Sequence, residues 1–189
     1  MSFNPHNIPS KGLLLIAEPS IIGDLSFNRS AILLAEHNDE GSIGFILNKP
    51  LRYDLNDLVP DVNPVIPVFN GGPVEQDNLY FIHNAPQIID NSIAIDFGIY
   101  WGGDFKQIIH LLNAGLLTTN QIQFFLGYSG WGPKQLEEEW SENNWLVMPN
   151  DLHQEQIFKT DQNYWRNTMN SLGGTYAMWA NAPENPAMN

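Results

Sequence analysis

Few side chains in this sequence are arranged like the members of a catalytic group. Gly127-Tyr128-Ser129-Gly130 places a serine after an apolar run, but Trp131 stands where the G-x-S-x-G pattern of serine hydrolases needs its last glycine. A serine nucleophile also needs a base. The candidate bases, with nothing local to choose among them, are His37, His83, His110 and His153. We therefore interpret Ser129 as a small residue of a tight turn, and the sequence predicts no catalytic residue.

The patterns typical of phosphate and metal sites are also incomplete. Gly102-Gly103-Asp104 precedes a predicted helix, whose first N–H groups attract anions, but Asp104 is itself an anion and is expected to cap that helix. Gly71-Gly72-Pro73 is too short to cradle a phosphate. Glu36-His37 could contribute to a metal site, but no H-x-H or H-E-x-x-H spacing accompanies it. The sequence thus indicates neither a metal site nor a cofactor.

Among the charged residues, Arg29 has the most specific setting, in a loop before an apolar strand. It could pair with Asp24 or Glu36, or it could hold an anionic ligand. The run Glu137-Glu138-Glu139, in contrast, is interpreted as the solvated face of a helix.

Hydrophobic periodicity predicts the elements that would position these residues. Short apolar runs predict strands at 12–17, 30–37, 42–48, 68–70, 79–83, 92–95, 97–101, from 124, and at 145–148. Helical spacing predicts a turn at 54–58, helices at 104–114, from 133 to about 143 and from 161 to 172, and a further turn at 175–180. The second and third strands form a hairpin around Asn38-Asp39-Glu40-Gly41. Strands grouped early and helices inserted late favour an α+β fold with a mostly antiparallel sheet.

The segment from Phe124 to Trp140 is expected to organise the fold as strand, tight turn and helix. Three glycines in six residues predict that at least one has a positive φ. Trp131 is expected to pack back onto the sheet, and Pro133 to lie in the first helical turn.

Composition limits the classes of function. The chain of 189 residues predicts a single domain over 1–189, with a loose arm at 1–10 and a tail at 182–189. It has no cysteine and a net charge of −13, which disfavours direct DNA binding and anionic membranes. We find no apolar run of membrane-spanning length and no signal-peptide core, so a cytoplasmic location is expected.

Several segments occur in an order that resembles the YqgE/AlgH family of bacterial proteins. They are G-L-L-L-I-A-E-P, F-N-R-S, L-L-A-E-H, G-F-I-L-N-K-P, V-F-N-G-G-P-V, and G-Y-S-G-W-G-P-K-Q-L-E-E-E followed by N-W-L-V. The resemblance covers roughly residues 12–180. It implies one complex α+β domain whose bifurcated sheet curls into a pseudo-barrel, with peripheral helices. It also carries a family label of transcriptional regulator, without an established activity. Alanine is usual in that pattern at Ser129 and glycine at Lys134, which weakens a nucleophilic role for Ser129.

Two hypotheses of function follow. The first is a non-enzymatic module that binds a small molecule or a protein partner, because the family-like residues are of types that shape and line a surface. The residues proposed for that site are Arg29, Asn48, His83, Tyr128, Trp131 and Gln135. The alternative is a hydrolase that uses His37 or His83 as its base.

Overall fold

The protein is an α+β domain built on one large, mostly antiparallel sheet. The computed structural model describes residues 7–19, 26–152 and 156–182. Within these residues the strands are β1 (Leu14–Ala17), β2 (Ala31–Asn38), β3 (Gly41–Ile46), β4 (Pro50–Asp54), β5 (Pro67–Asn70), β6 (Val74–His83), β7 (Ile93–Ala94), β8 (Tyr100–Trp101), β9 (Ile122–Trp131) and β10 (Trp145–Met148). The helices are α1 (Leu55–Leu58), α2 (Phe105–Asn113), α3 (Gln135–Ser141), α4 (Tyr164–Leu172) and α5 (Gly174–Ala180), with one 3-10 turn at Ile157–Lys159. Asp24 and His153 lie outside the described residues, as do 1–6 of the predicted arm and 183–189 of the predicted tail.

The strands follow the order β10-β1-β2-β3-β9-β6-β8-β7, and the sheet does not close on itself. The β2–β3 hairpin is confirmed, although Asn38 pairs with Gly41, which leaves a two-residue turn. β1 and β2 are buried on both faces: Leu14 and Ile16 face one core, Leu15 and Ala17 the other. This explains why these strands are continuous apolar runs rather than alternating ones.

The sheet branches at β9. β6 pairs along one edge of this strand, while the other edge is shared by β5, parallel to residues 124–126, and by β3, antiparallel to residues 129–131. Gly71 lies where β5 and β3 diverge: its N–H donates to Leu126 O (2.9 Å), and its carbonyl accepts from Ile46 N–H (3.1 Å). The bifurcated sheet implied by the resemblance therefore has a physical origin in one strand with three neighbours.

The expected turn at 127–132 is wrong, because β9 continues through most of it, to Trp131. The expected positive φ is confirmed at Gly127 (68°). A Cβ at Gly127 would lie 2.7 Å from the carbonyl oxygens of Gly72 and Val74, so the glycine permits close backbone approach inside the sheet. The following helix also begins later than expected, at Gln135, with Lys134 in the left-handed region, so Pro133 precedes the helix.

The helices cover the two faces of the sheet. α4 and α5 contribute Trp165, Met169 and Ala180 to the core on the Leu14 face. α3 contributes Leu136 on the opposite face. α2 packs Ile108 and Leu112 against the part of the sheet that contains Phe124.

The predicted cap of α2 is confirmed: the Asp104 carboxylate accepts from the N–H groups of Lys106 (2.9 Å) and Gln107 (3.1 Å). Asp161, in contrast, does not cap α4: its carboxylate accepts from Asn163 N–H (2.8 Å), one residue before the helix. None of the helices in the described segments is long and apolar enough to cross a membrane.

Candidate functional site

Two of the predicted site residues, Arg29 and Asn48, meet at the largest cavity that we describe. We call it the cationic pocket, and its volume is about 560 Å³. It lies between the loop before β2, the junction of β3 and β4, and the start of α4. Its lining residues are Asn28, Arg29, Asn48, Lys49, Pro50, Gln162, Asn163, Trp165 and Arg166. The F-N-R-S and I-L-N-K-P segments of the sequence therefore converge on one cavity.

Asn48 holds the loop that presents Arg29. The Asn48 side chain is buried, accepts from Ala31 N–H (2.9 Å) and donates to the Arg29 carbonyl (2.9 Å). Arg29 has a positive φ of 54°, a conformation that needs such support. Asn48 is therefore a positioning residue, and the amide fixes the backbone from which the guanidinium projects.

The charged groups of the cationic pocket are also held by the fold. Arg29 donates from Nη2 to the Ala182 carbonyl (2.6 Å), and its guanidinium carbon lies 5.2 Å from the ring centroid of Trp165. Lys49 donates from Nζ to the Ser26 carbonyl (2.6 Å). Arg166 is exposed on α4 at the rim. These contacts fix two of the three cations and leave the third at the solvent boundary.

The electrostatic character of this pocket is opposite to that of the whole chain. Three of the eight Lys and Arg residues line it, although the net charge is −13. No carboxylate occurs among its lining residues in the described part of the chain. Local potential in a cleft depends on nearby charges more than on the net charge, so a positive local potential is expected in this pocket.

Trp131 and Gln135 lie in a different part of the molecule and belong to one hydrogen-bond network. Trp131 is 4% exposed, as expected for a ring that packs on the sheet, and stacks on Phe27 at 5.9 Å. The Glu139 carboxylate accepts from the indole N–H groups of Trp131 (2.9 Å) and Trp145 (2.8 Å) and from the Gln135 amide (2.9 Å). Glu139 therefore joins α3 to the sheet, and the interpretation of 137–139 as a purely solvated face is wrong at this residue.

Tyr128 and Trp131 both line another cavity, a groove that also includes Glu36, Glu40 and Gly130. The Tyr128 ring packs edge-on against Tyr80, with centroids 5.4 Å apart. The Tyr80 hydroxyl in turn donates to Glu75. The side chain of Tyr128 is thus separated from the cationic pocket, and no described residue lines both cavities.

His83 is fully buried at the end of β6. Its Nδ1 accepts from Ala85 N–H (3.2 Å) and its Nε2 donates to the Gly102 carbonyl (3.2 Å), which defines a neutral imidazole. Burial lowers the pKa of His83, and the Gly102 carbonyl opposes that shift only in part. The structure therefore places His83 apart from Arg29, with both ring nitrogens bonded to backbone.

The structure places Ser129 in a strand rather than in the predicted tight turn. It also brings His37 next to a different serine, Ser42. Ser129 is fully buried within β9 and donates to the Gly71 carbonyl (3.0 Å). His37 Nδ1 lies 2.7 Å from Ser42 Oγ across the β2–β3 hairpin, and its Nε2 lies 4.0 Å from Glu137. Across the described segments we find no group of three or more His, Asp or Glu residues that could hold a metal ion.

Sequence reasoning missed Lys49, Trp165 and Arg166. The last two lie more than a hundred residues from Asn48 in the chain, so only the packing of α4 brings them to the pocket. One signal was present: Lys49 and Arg52 are the only closely spaced basic residues in an acidic sequence.

Comparison with known proteins identifies the family. Residues 14–177 match the family described as AlgH-like. A UPF0301 protein of Chlorobaculum parvum is 38% identical over 98% of this chain and 99% of its own length. A UPF0301 protein of Cytophaga hutchinsonii is 40% identical over 95% and 99%, respectively.

Two solved structures share the fold. The solution structure of AlgH from Pseudomonas aeruginosa superposes with a TM-score of 0.69 at 25% identity, covering 94% of this chain and 97% of that one. A crystal structure of a protein from Corynebacterium diphtheriae gives 0.70 at 21% identity, with 94% of each chain covered. Because the match is full-length in both sequence and fold, this chain belongs to the AlgH-like family.

Proposed function

We propose that this protein is a non-enzymatic binding module whose ligand is a small organic anion held in the cationic pocket. The observation that carries the proposal is the concentration of Arg29, Lys49 and Arg166 around one cavity whose described lining residues include no carboxylate. These are three of only eight Lys and Arg residues in a chain with 21 acidic ones.

The lining groups match the chemistry of a carboxylate or phosphate ligand. Guanidinium groups bind such anions through paired N–H donors, and an ammonium group adds a point charge. The side-chain amides of Asn28, Gln162 and Asn163 supply further hydrogen-bonding groups around the cavity. The indole of Trp165 provides an apolar wall, which favours an organic anion over a bare inorganic one.

We place this module in the cytoplasm, with a regulatory role exerted through its ligand or a protein partner. Direct reading of DNA is not part of the proposal. The helix that follows β9 carries Glu137, Glu138 and Glu139, whereas a recognition helix presents basic residues to phosphates.

The test is calorimetric titration of the full chain at low ionic strength with citrate as the organic anion, pyrophosphate as an inorganic comparison, and a neutral polyol of similar size. Binding of an anion, no binding of the polyol, and weakening by added salt are expected. Arg166→Gln should weaken binding about tenfold, since a charge-assisted contact contributes ~1.5 kcal/mol or more. Lys106→Gln on α2 is the matched control and should bind as the parent does. Equal affinities in the two variants, or no anion binding at all, would contradict the proposal.

One observation favours the alternative of a hydrolase. Three neighbouring side chains are of the types that serve as nucleophile, base and orienting acid: Ser42, His37 and Glu137. The 4.0 Å separation of His37 and Glu137 exceeds a hydrogen bond, and Ser42 is only 5% exposed, so anion binding remains the better-supported function. Chromogenic esters provide the test: turnover that disappears in Ser42→Ala and His37→Ala would support the alternative, and turnover unchanged in both would exclude it.

A further inference from the structure

A second cavity differs from the cationic pocket in both position and chemistry. We call it the aromatic pocket. It has a volume of about 480 Å³ and lies between the residue that follows β1, the end of α3, the start of β10, and α5. Its described lining includes three aromatic residues: Trp140, Trp145 and Tyr176. None of its described lining residues also lines the cationic pocket.

The charged group of the aromatic pocket is the carboxylate of Glu18. The Tyr176 hydroxyl donates to Glu18 Oε1 (3.0 Å), and the Glu18 backbone N–H donates to the Asn144 carbonyl (3.0 Å). Burial, followed by the neighbouring carboxylate, raises the pKa of Tyr176, so the phenol stays protonated and keeps donating at neutral pH. These bonds hold one negative charge beside a tyrosine ring.

The described lining contains no Lys, Arg or His. The faces of indole and phenol rings carry negative electrostatic potential, and they attract an organic cation more strongly when it is shielded from water. A carboxylate at the same cavity adds direct charge attraction. An anionic ligand would be repelled by both groups.

A metal ion fits this lining poorly. Ca²⁺ and Mg²⁺ prefer six or more oxygen ligands, whereas Glu18 is the only carboxylate among the described lining residues. Soft transition metals favour thiolate or imidazole ligands, and neither group occurs among the described lining residues. The volume, in contrast, is within the range of sites that hold small molecules.

We propose that the aromatic pocket binds an organic cation of the alkylammonium class, with the charged nitrogen near Glu18 and its methyl or methylene groups against Trp140 and Tyr176. This site is independent of the anion site proposed above. The chain would then carry one recognition site for each sign of charge.

The test is isothermal titration of the full chain with tetramethylammonium chloride, against sodium chloride at equal ionic strength and against the neutral isostere neopentyl alcohol. Saturable binding of the cation is expected, with weaker or no binding of the alcohol. Trp140→Leu and Glu18→Gln should each reduce affinity about tenfold or more. Trp179→Leu is the matched control, because Trp179 is 44% exposed on the same helix as Tyr176 and does not line the cavity.

Thermal melts of the variants show whether they fold. If Glu18→Gln is unfolded, Tyr176→Phe serves in its place, because it retains the ring and removes only the bond to Glu18. The absence of saturable cation binding, equal binding of the alcohol, or unchanged affinity in folded Trp140→Leu would each overturn the proposal. Failure of pyrophosphate or citrate to bind would leave this result unaffected, since the two cavities are separate.

Discussion

Gly127 is the residue at which the branched sheet depends most directly on a missing side chain. Its φ is 68°, and an added Cβ would lie 2.7 Å from two carbonyl oxygens of the neighbouring segment, those of Gly72 and Val74. Backbone atoms cannot move aside as a flexible side chain can, so both strain and a clash are expected.

Gly127→Ala should therefore lower the free energy of unfolding by about 2 kcal/mol or more in urea denaturation. Gly132→Ala is the control, because the nearest atom to an added Cβ there is Gln135 Oε1 at 3.9 Å. Similar denaturation midpoints for both variants would contradict this account of Gly127.

His83 should make the stability of the fold depend on pH. Its pKa is lowered by burial from an ordinary value of 6.5, so the unfolded chain binds the proton more readily than the folded one. The stabilising contribution is complete above pH 6.5 and is lost as the pH falls from 6.5 toward the lower folded pKa.

Urea midpoints measured from pH 7.5 to pH 5 should fall less steeply in His83→Gln than in the parent, even though the variant is less stable throughout. His110→Gln, which alters an exposed histidine of α2, should keep the parental slope. If His83→Gln also keeps that slope, burial of the neutral ring is not the cause.

At the scale of elements, aromatic packing joins β9 to β10 and to the loop before β2. Trp131 is buried between Phe27 and Trp145, with centroid separations of 5.9 Å to both rings. Trp131→Ala should cost about 3 kcal/mol of unfolding free energy, as expected when a large buried ring is removed. Trp179→Ala, on an exposed face, should cost little. An unchanged midpoint for Trp131→Ala would show that the ring does not stabilise the fold.

The attachment of α3 to this packed group depends on one carboxylate, Glu139. Glu139→Ala would leave the indole N–H groups of Trp131 and Trp145 without their acceptor at positions that are only 4% and 3% exposed. A loss of roughly 2 kcal/mol or more is expected. Glu138→Ala is the neighbouring control and should stay close to the parent in a chemical denaturation series. Equal losses would assign the effect to helix propensity instead.

The sequence allowed the type of most elements to be predicted but not their connections. The hairpin of β2 and β3 was predictable because its turn residues and apolar strands are local signals. The continuation of β9 past Gly127 was not, because three glycines resemble a turn unless the backbone of Gly71-Gly72 is known to approach them. β4 was missed altogether, since it pairs with β5 across a stretch rich in proline.

The candidate site was predictable in part, for a similar reason. Arg29 and Asn48 were chosen from their residue types, and the structure brings them together through the Asn48 amide. Trp165 and Arg166 join them only because α4 packs on the Leu14 face of the sheet. His83, Tyr128, Trp131 and Gln135 were chosen by the same criteria and lie elsewhere, because polar and aromatic types also serve buried networks.

At the scale of the whole molecule, the unequal distribution of charge leads to a prediction about nucleic acid. A net charge of −13 repels the phosphate backbone, and the three cations of the pocket surround a cavity rather than form an extended stripe. No retardation of duplex DNA is expected in gel-shift assays, even at low salt. Retardation that decreases with salt and is lost in Arg166→Gln would instead show that the pocket binds a phosphate backbone.

The branching of the sheet at β9 has a consequence for synthesis on the ribosome. β3, β5 and β6 all emerge before residue 122, and each then lacks the neighbour that they share. β1 must likewise wait for β10 before its second edge is covered. Exposed strand edges favour association with other chains, so the nascent protein carries this hazard until β9 and β10 are translated. The sheet is consequently expected to be completed in one late step rather than strand by strand, once both of these strands have left the ribosome.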